Sequence, residues 1–301
     1  MNPAAESVAF DTESTWEILR TACAEVGLRC VDAELLRLGE NALFRLTRLG
    51  IVARIARTMN FWEDVKKEVS VARWLSSRGF PAAQALDGRQ PIVANGHPVT
   101  FWYYIEGRPG AKSDIQKLGQ VLRRLHAIPA PAEFTLPSEE ILGRVKRRID
   151  AAPVSDADKN FLFCRCEELD RELRTLKFPL SPGPTHGDAH IKNLMIRRGK
   201  PVLIDFERFF WGQPEWDLAL TATECKTAGW WTDREYENFA NAYGYDVTSW
   251  AGFSVLRSTH ELKMTTWIMQ NVKESSEIAD EYTIRMRTIR GGKRVRSWQP
   301  F

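Results

Sequence analysis

The sequence is poor in the features that would place it in a special class of protein. Five cysteines occur in 301 residues, Cys23, Cys30, Cys164, Cys166 and Cys225. Their number is odd and no C-x-x-C pair occurs, so neither a disulfide framework nor a structural zinc site is favoured, and reduced thiols are expected. Nowhere do 18 apolar residues run consecutively, and the N-terminus, with Glu6, Asp11 and Glu13, has no basic start followed by an apolar run. The expectation is a soluble protein of cytoplasmic location with no membrane partner. An excess of one charge is missing too: 42 Lys and Arg against 39 Asp and Glu leave +3, too little to call for a nucleic-acid partner. Internal repeats and low-complexity segments are absent from the sequence.

What is present is an ordinary globular composition. It is 44% hydrophobic and 27% charged, with 19 Gly and 15 Pro, which excludes collagen-like and disordered chains. The length suits two lobes sharing a cleft, since single cores stop growing at roughly 250–300 residues. Ser14 and Glu17 have capping-box spacing, and Ile18, Leu19, Ala22 and Val26 follow at helical intervals up to Gly27. Apolar or alternating runs over 35–39, 42–47 and 51–56 read as a three-stranded meander, and 61–78 as a helix carrying Val65, Val69, Ala72 and Leu75 on one face. Asn95-Gly96 between 91–94 and 97–105 is a hairpin signal, because these residues tolerate the positive φ of a tight turn.

After Glu106-Gly107-Arg108-Pro109-Gly110 the period changes. Ile115, Leu118, Val121, Leu122 and Leu125 recur at threes and fours, and 141–176 and 235–271 read as helical. The boundary is therefore set near residue 106, with lobes of 1–105 and 106–301. Within the helical half, 194–196 and 202–204 flank 197–201 as a hairpin.

Chemistry is concentrated in Thr185-His186-Gly187-Asp188-Ala189-His190-Ile191-Lys192-Asn193 and, beyond the hairpin, Ile204-Asp205-Phe206-Glu207. An aspartate near an acceptor hydroxyl, an amide oxygen and a second carboxylate form the set that orients a nucleophile while hard oxygens hold Mg²⁺ on a triphosphate.

These motifs resemble the aminoglycoside phosphotransferase family, whose relatives include choline and homoserine kinases, and the resemblance covers nearly the whole chain. Gly212-Gln213-Pro214-Glu215-Trp216-Asp217-Leu218-Ala219 is similar to the family's G-D-P-x-x-D-L-A stretch, with Gln213 in place of an aspartate. Leu125-His126-Ala127-Ile128-Pro129 matches its L-H-x-x-P helix end, where His126 is expected to pack or cap. The resemblance implies an α+β, two-lobe protein-kinase-like fold with a small antiparallel-sheet N-terminal lobe that binds nucleotide. The mainly helical C-terminal lobe would carry catalysis and the acceptor.

It further implies that Asp188 is catalytic, that Asn193 and Asp205 hold the metal, and that His186 and Asp217 support the loops. Lys192, His190 and Glu207 lie beside these, Glu207 pointing to the same side of an extended segment as Asp205. Arg54 stands where kinases carry a strand lysine, with Glu68 as its partner on the following helix; an arginine fork meets phosphates differently from a lysine. Asn41 falls in the phosphate-covering turn, and the backbone from Tyr103 to Ile105 would meet the purine edge. The implied cofactors are ATP or GTP and Mg²⁺, and the partner is a small-molecule acceptor bound by a monomer or homodimer.

Between 205 and 262, ten acidic residues face four basic ones, which suits a cationic acceptor such as an aminoglycoside or amino sugar. Six tryptophans in and just beyond this stretch, Trp211, Trp216, Trp230, Trp231, Trp250 and Trp267, keep a choline- or ethanolamine-type or other metabolite kinase open. A nucleotide-binding pseudokinase is the alternative of a different class. The basic tail Arg285, Arg287, Arg290, Lys293, Arg294 and Arg296 reads as a solvated helix whose last aromatics, Trp298 and Phe301, dock on the second lobe.

Overall fold

A computed structural model describes residues 10–138, 141–292 and 296–300. Glu6, Lys293, Arg294 and Phe301 lie outside the described residues. The chain divides into two compact units. One comprises the residues up to Arg108 together with Met195–Glu207, and the other Pro109–Leu194 together with the residues from Arg208 onward.

In the first unit, α1 (Thr12–Glu25) begins one turn earlier than the Ser14–Glu17 spacing suggests. Asp11 is the N-cap: its Oδ1 accepts from Ser14 N at 2.9 Å, and Ser14 Oγ accepts from Asp11 N at 3.0 Å. Strands β1 (Ala33–Leu38), β2 (Asn41–Leu46), β3 (Ile51–Ala56), β4 (Ile92–Ala94) and β5 (His97–Tyr103) form one antiparallel sheet in the order β1-β2-β3-β5-β4. Alternation in β2 buries Ala42, Phe44 and Leu46 against Ile18, Leu19 and Ala22 of α1, as the period of two requires. The β4–β5 turn is Asn95-Gly96, at φ 49° and 81°, the two positive values of a type I′ hairpin. Helix α2 (Trp62–Ser77) buries Val65, Val69, Ala72 and Leu75, and among them one charged residue, Glu68.

After the two-residue β6 (Arg108–Pro109), where the division falls, come α3 (Ile115–His126), α4 (Gly143–Ala151) and α5 (Asp156–Thr175). The stretch read as continuous over 141–176 is two helices. Pro153, which has no N–H and fixes its φ, separates them, and Ser155 caps the second by accepting from Asp158 N. Strand β7 (Gly183–Thr185) leads into the loop that carries Asp188.

The hairpin of β8 (Leu194–Arg197) and β9 (Lys200–Leu203) turns at Arg198-Gly199, φ 49° and 76°, a tighter turn than the 197–201 loop expected. Ala83 N donates to Leu203 O at 2.8 Å and Leu203 N to Pro81 O at 2.9 Å. These bonds tie the segment to the first unit, whereas the sequence reading set it in the second half.

Strand β10 (Phe210–Gly212) pairs with β7, setting Phe210 opposite Thr185. It is followed by α6 (Glu215–Thr223), a π-helical turn over Glu224–Ala228, α7 (Asp233–Tyr243), α8 (Phe253–Ile268) and α9 (Ser276–Ile289). Helices α3 and α7 approach so closely that a Cβ on Gly119 would lie 2.6 Å from Phe239 O. The tail is less solvated than expected. Arg285 is buried, its Nε is 2.6 Å from Glu281 Oε1, and its Nη2 donates to Gln299 O. Trp298 is buried, accepting at its carbonyl from Trp230 Nε1 and donating N–H to Ala228 O. Among the described residues no helix is long and apolar enough to cross a membrane.

Candidate active site

In the second unit, a single carboxylate organises the loop that follows β7. Asp217, in the first turn of α6, accepts from His186 N at 2.7 Å through Oδ2 and from Gly187 N at 2.9 Å through Oδ1. His126 Nε2 lies 3.0 Å from the same Oδ2, and its Nδ1 lies 2.9 Å from Tyr243 OH. Burial pushes the Asp217 carboxyl up, but the His126 contact, His186 and the loop N–H donors outweigh it and hold the group below its ordinary range. His186 is itself buried, and its Nδ1 accepts from Asp188 N at 3.3 Å. Gln213 Oε1 is buried without a hydrogen-bond partner among the described residues, while Gln213 O still accepts from Trp216 N at the start of α6.

Gly187 is required twice over. Its φ is +80°, and a Cβ would collide with the Arg208 carbonyl. Gly187→Ala is expected to cost about 1–3 kcal/mol, combining left-handed strain with a backbone clash. Urea unfolding of the variant beside wild type measures it; an unchanged midpoint would show that the loop has another conformation open to it.

Around Asp188, Lys263 Nζ lies 3.3 Å from Oδ1 and His190 Nε2 lies 3.6 Å from Oδ2. Burial pushes the Asp188 carboxyl up, yet Lys263, His190 and His186 overcome it and leave the group well below the usual carboxylate range. For His190, burial lowers the pKa, but Asp188 and Glu224 more than restore it, so the net shift is upward. Glu224 begins the π-helical turn, is buried, and accepts from Trp231 Nε1 at 2.7 Å. Burial is the main reason its carboxyl is raised. Asn193 is buried, and its Nδ2 donates to Asp188 O at 2.9 Å, which leaves Oδ1 as the side-chain atom for a metal. Lys192 is exposed.

In the first unit, Arg54 Nη1 lies 2.8 and 2.7 Å from the two Glu68 carboxylate oxygens, and Nη2 lies 3.2 Å from Glu207 Oε2. Lys67 Nζ donates to Glu207 O at 2.6 Å. For Arg54, burial opposes the charge, but Glu68, Asp205 and Glu207 hold it protonated. Burial pushes the Glu68 carboxyl up to about 7 against the pull of Arg54. Asn41, Arg54, Glu68 and Glu207 line one small recess. Asp205 is exposed, at φ +66°, while Phe206 beside it is fully buried, and the Asp205 charge acts on Arg54 and Glu68.

Tyr103 ends β5 and Ile105 lies two residues beyond, outside that recess. Tyr103 N donates to Gln84 O and Tyr104 N to Gly50 O. The second unit therefore assembles Asp188, His186, Asn193 and Asp217, and the first assembles Arg54, Glu68, Asn41 and Glu207.

Lys263 escaped the sequence reading. It stands 75 residues from Asp188, in no motif. The available signal was weak: Thr259, His260 and Glu261 form a polar run that proves to be buried in α8.

Among the described residues no group of three or more His, Cys, Asp or Glu is gathered to hold a metal. A metal here would take fewer protein ligands and complete its shell with phosphate oxygens and water, as Mg²⁺ commonly does.

Residues 36–256 match APH, the phosphotransferase enzyme family. The chain belongs to this family and is a phosphotransferase of the small-molecule kinase type. Among solved structures it is similar to the amicoumacin kinase hAmiN in complex with AMP-PNP, Ca²⁺ and Ami, with TM-score 0.68 and 15% identity over 87% of this chain and 89% of that one. It is similar to the choline kinase LicA from Streptococcus pneumoniae, with TM-score 0.65 and 16% identity over 92% and 99%. It is also similar to the aminoglycoside phosphotransferase APH(3'')-Id from Streptomyces rimosus, with TM-score 0.59 and 19% identity over 84% and 99%. At these identities the likeness defines the fold: α+β and protein-kinase-like, with an antiparallel sheet toward the N-terminus and helices toward the C-terminus.

Proposed function

We propose that the protein transfers the γ-phosphoryl group of ATP or GTP, with Mg²⁺, to a hydroxyl of a small, polar, cationic acceptor. The observation that carries this reading is Asp188: an ionised carboxylate on a loop fixed by His186, Gly187 and Asp217. The acceptor oxygen forms a bond to the γ-phosphorus, the bond from that phosphorus to the β–γ bridging oxygen breaks with its electrons going to the nucleoside diphosphate, and the hydroxyl proton passes to Asp188. General-base assistance of this kind contributes about 10²–10⁴-fold.

Asn193 Oδ1 and the carboxylate of Asp205 would hold Mg²⁺; both are hard oxygen donors, and Asn193 spends its Nδ2, not its Oδ1, on the loop. When bound, the metal neutralises charge on the phosphates. Residues 1–105 would serve the nucleotide and 106–301 catalysis and the acceptor. Arg54, oriented by Glu68 and Glu207, would meet phosphates beside Asn41. The Tyr103 carbonyl and the Ile105 N–H, two residues on, would offer an acceptor and a donor to a purine edge.

A cationic acceptor is supported by Glu224, a buried carboxylate within electrostatic reach of His190 and Asp188. Choline caging is less well supported. Trp216 is stacked on His260 at 4.0 Å and has Lys263 over its ring at 5.4 Å, and Trp231 Nε1 is committed to Glu224. An aminoglycoside or amino sugar is therefore placed ahead of an amino alcohol, which would make the role antibiotic resistance in the cytoplasm rather than metabolism.

The test is ADP or GDP release with Mg²⁺ across aminoglycosides, amino sugars, choline, ethanolamine and homoserine. Turnover stimulated by an amino sugar or aminoglycoside is expected. Stimulation by choline alone would overturn the acceptor class.

A further inference from the structure

We propose that Lys263 is the positioning residue of the phosphoryl-transfer site. It holds the Gly187–Asp188 peptide and the Asp188 carboxylate so that Oδ2 is the oxygen offered to the acceptor hydroxyl. This rests on the assignment of Asp188 as proton acceptor above.

A lysine side chain only 17% exposed is costly unless its ammonium is paired. Here its polar partners come from the Asp188 loop. Lys263 Nζ donates to Gly187 O at 2.9 Å and reaches Asp188 Oδ1 at 3.3 Å. Gly187 O also accepts from Trp216 Nε1 at 3.3 Å. The Gly187 residue is thus gripped at both ends, its N–H by Asp217 and its carbonyl by Lys263 and Trp216.

The grip is registered by a helix junction. His260, one turn before Lys263 and on the same face of α8, stacks on Trp216, and its Nε2 lies 3.0 Å from Trp216 O. Trp216 is the neighbour of Asp217 on α6. One junction between α6 and α8 therefore sets the clamp on the Gly187 carbonyl and the clamp on its N–H. At the carboxylate, Lys263 engages Oδ1, while His190 stands 3.6 Å from Oδ2, beyond hydrogen-bond length. Among the described residues Oδ2 has His190 as its ion-pair neighbour and no donor within hydrogen-bond length, so it is the oxygen placed to receive a proton.

The experiment compares Lys263→Met and Lys263→Arg with wild type, alone and in an Asp188→Asn background. Lys263→Met is expected to lower kcat about 10–100-fold, as misplacement of a reacting group by about 1 Å does. The KM values should stay within about twofold, since no substrate contact is lost. Lys263→Arg should recover part of kcat. In the Asp188→Asn background Lys263→Met should change kcat by less than about twofold, because the lysine acts through Asp188. Wild-type kcat in Lys263→Met, an equal loss in both backgrounds, or a loss confined to the acceptor KM would each overturn the proposal.

Crystal structures of wild type and Lys263→Met give a readout without turnover. The Asp188 carboxylate and Gly187 carbonyl are expected to shift in the variant, and an unchanged pair overturns the positioning role. If wild type phosphorylates no acceptor, the phosphotransfer reading of the site fails, while the crystal comparison still decides whether Lys263 sets the loop.

Discussion

Replacing Asp188 by asparagine is expected to lower acceptor-dependent kcat by about 10²–10⁴-fold, the usual worth of a positioned general base. The change is close to isosteric, so the amide oxygen can still accept from Lys263, and circular dichroism should be unaltered. The nucleotide KM should move little, because Asp188 is assigned to the acceptor hydroxyl and not to the phosphates. Steady-state kinetics at saturating acceptor measure the loss. A kcat within about threefold of wild type would mean that proton removal is not Asp188's task or is not needed at the transition state.

Asp217→Ala is expected to have the largest effect on stability. It strands three donors at once, His186 N, Gly187 N and His126, in a fully buried place. Breaking a buried charged network by deleting one partner costs about 3–5 kcal/mol. Activity should fall with it, since the loop that carries Asp188 loses its anchor.

The pH dependence has a definite sign. The Asp217 carboxyl is held below its ordinary value in the folded chain, so its contribution is fully present above the unfolded value of about 3.9 and is lost as pH falls through the folded value. Asp217→Asn should therefore be less stable than wild type near neutral pH, and the gap should narrow on acidification below about pH 4. Urea unfolding across that range measures both effects. A gap that stays constant with pH would show that the charge is not what Asp217 contributes.

The sheet and its hairpin were readable because their signals are local. The alternation of Ala42, Phe44 and Leu46 and the pair Asn95-Gly96 state their conformations without help from the rest of the chain. The capping box of α1 was misplaced because Asp11 competes with Ser14 for the same role, and an aspartate is at least as good an N-cap as serine. The 195–207 segment groups with the first unit although it lies in the second half of the sequence; its bonds to Pro81 and Ala83 are long-range and leave no periodic trace.

The site followed the same division. Asp188, Asn193 and Asp205 sit within 18 residues and declare themselves as a motif. Lys263, Trp216 and His126 reach the loop from distant helices, and contacts of that kind are created only by packing. Arg285 shows the reverse case: a tail read as a solvated basic stripe contains a buried arginine whose three nitrogens each donate a hydrogen bond, with Glu281 one turn earlier offsetting its charge.

The central claim is that Asp188 serves transfer of a phosphoryl group to an acceptor hydroxyl. The most direct test is γ-labelled ATP with Mg²⁺ and the best acceptor from the panel, comparing wild type with Asp188→Asn and resolving labelled acceptor from inorganic phosphate. The account predicts label on the acceptor with wild type and its near-complete loss in the variant. Label appearing only as inorganic phosphate, or on the acceptor equally with both proteins, would contradict it.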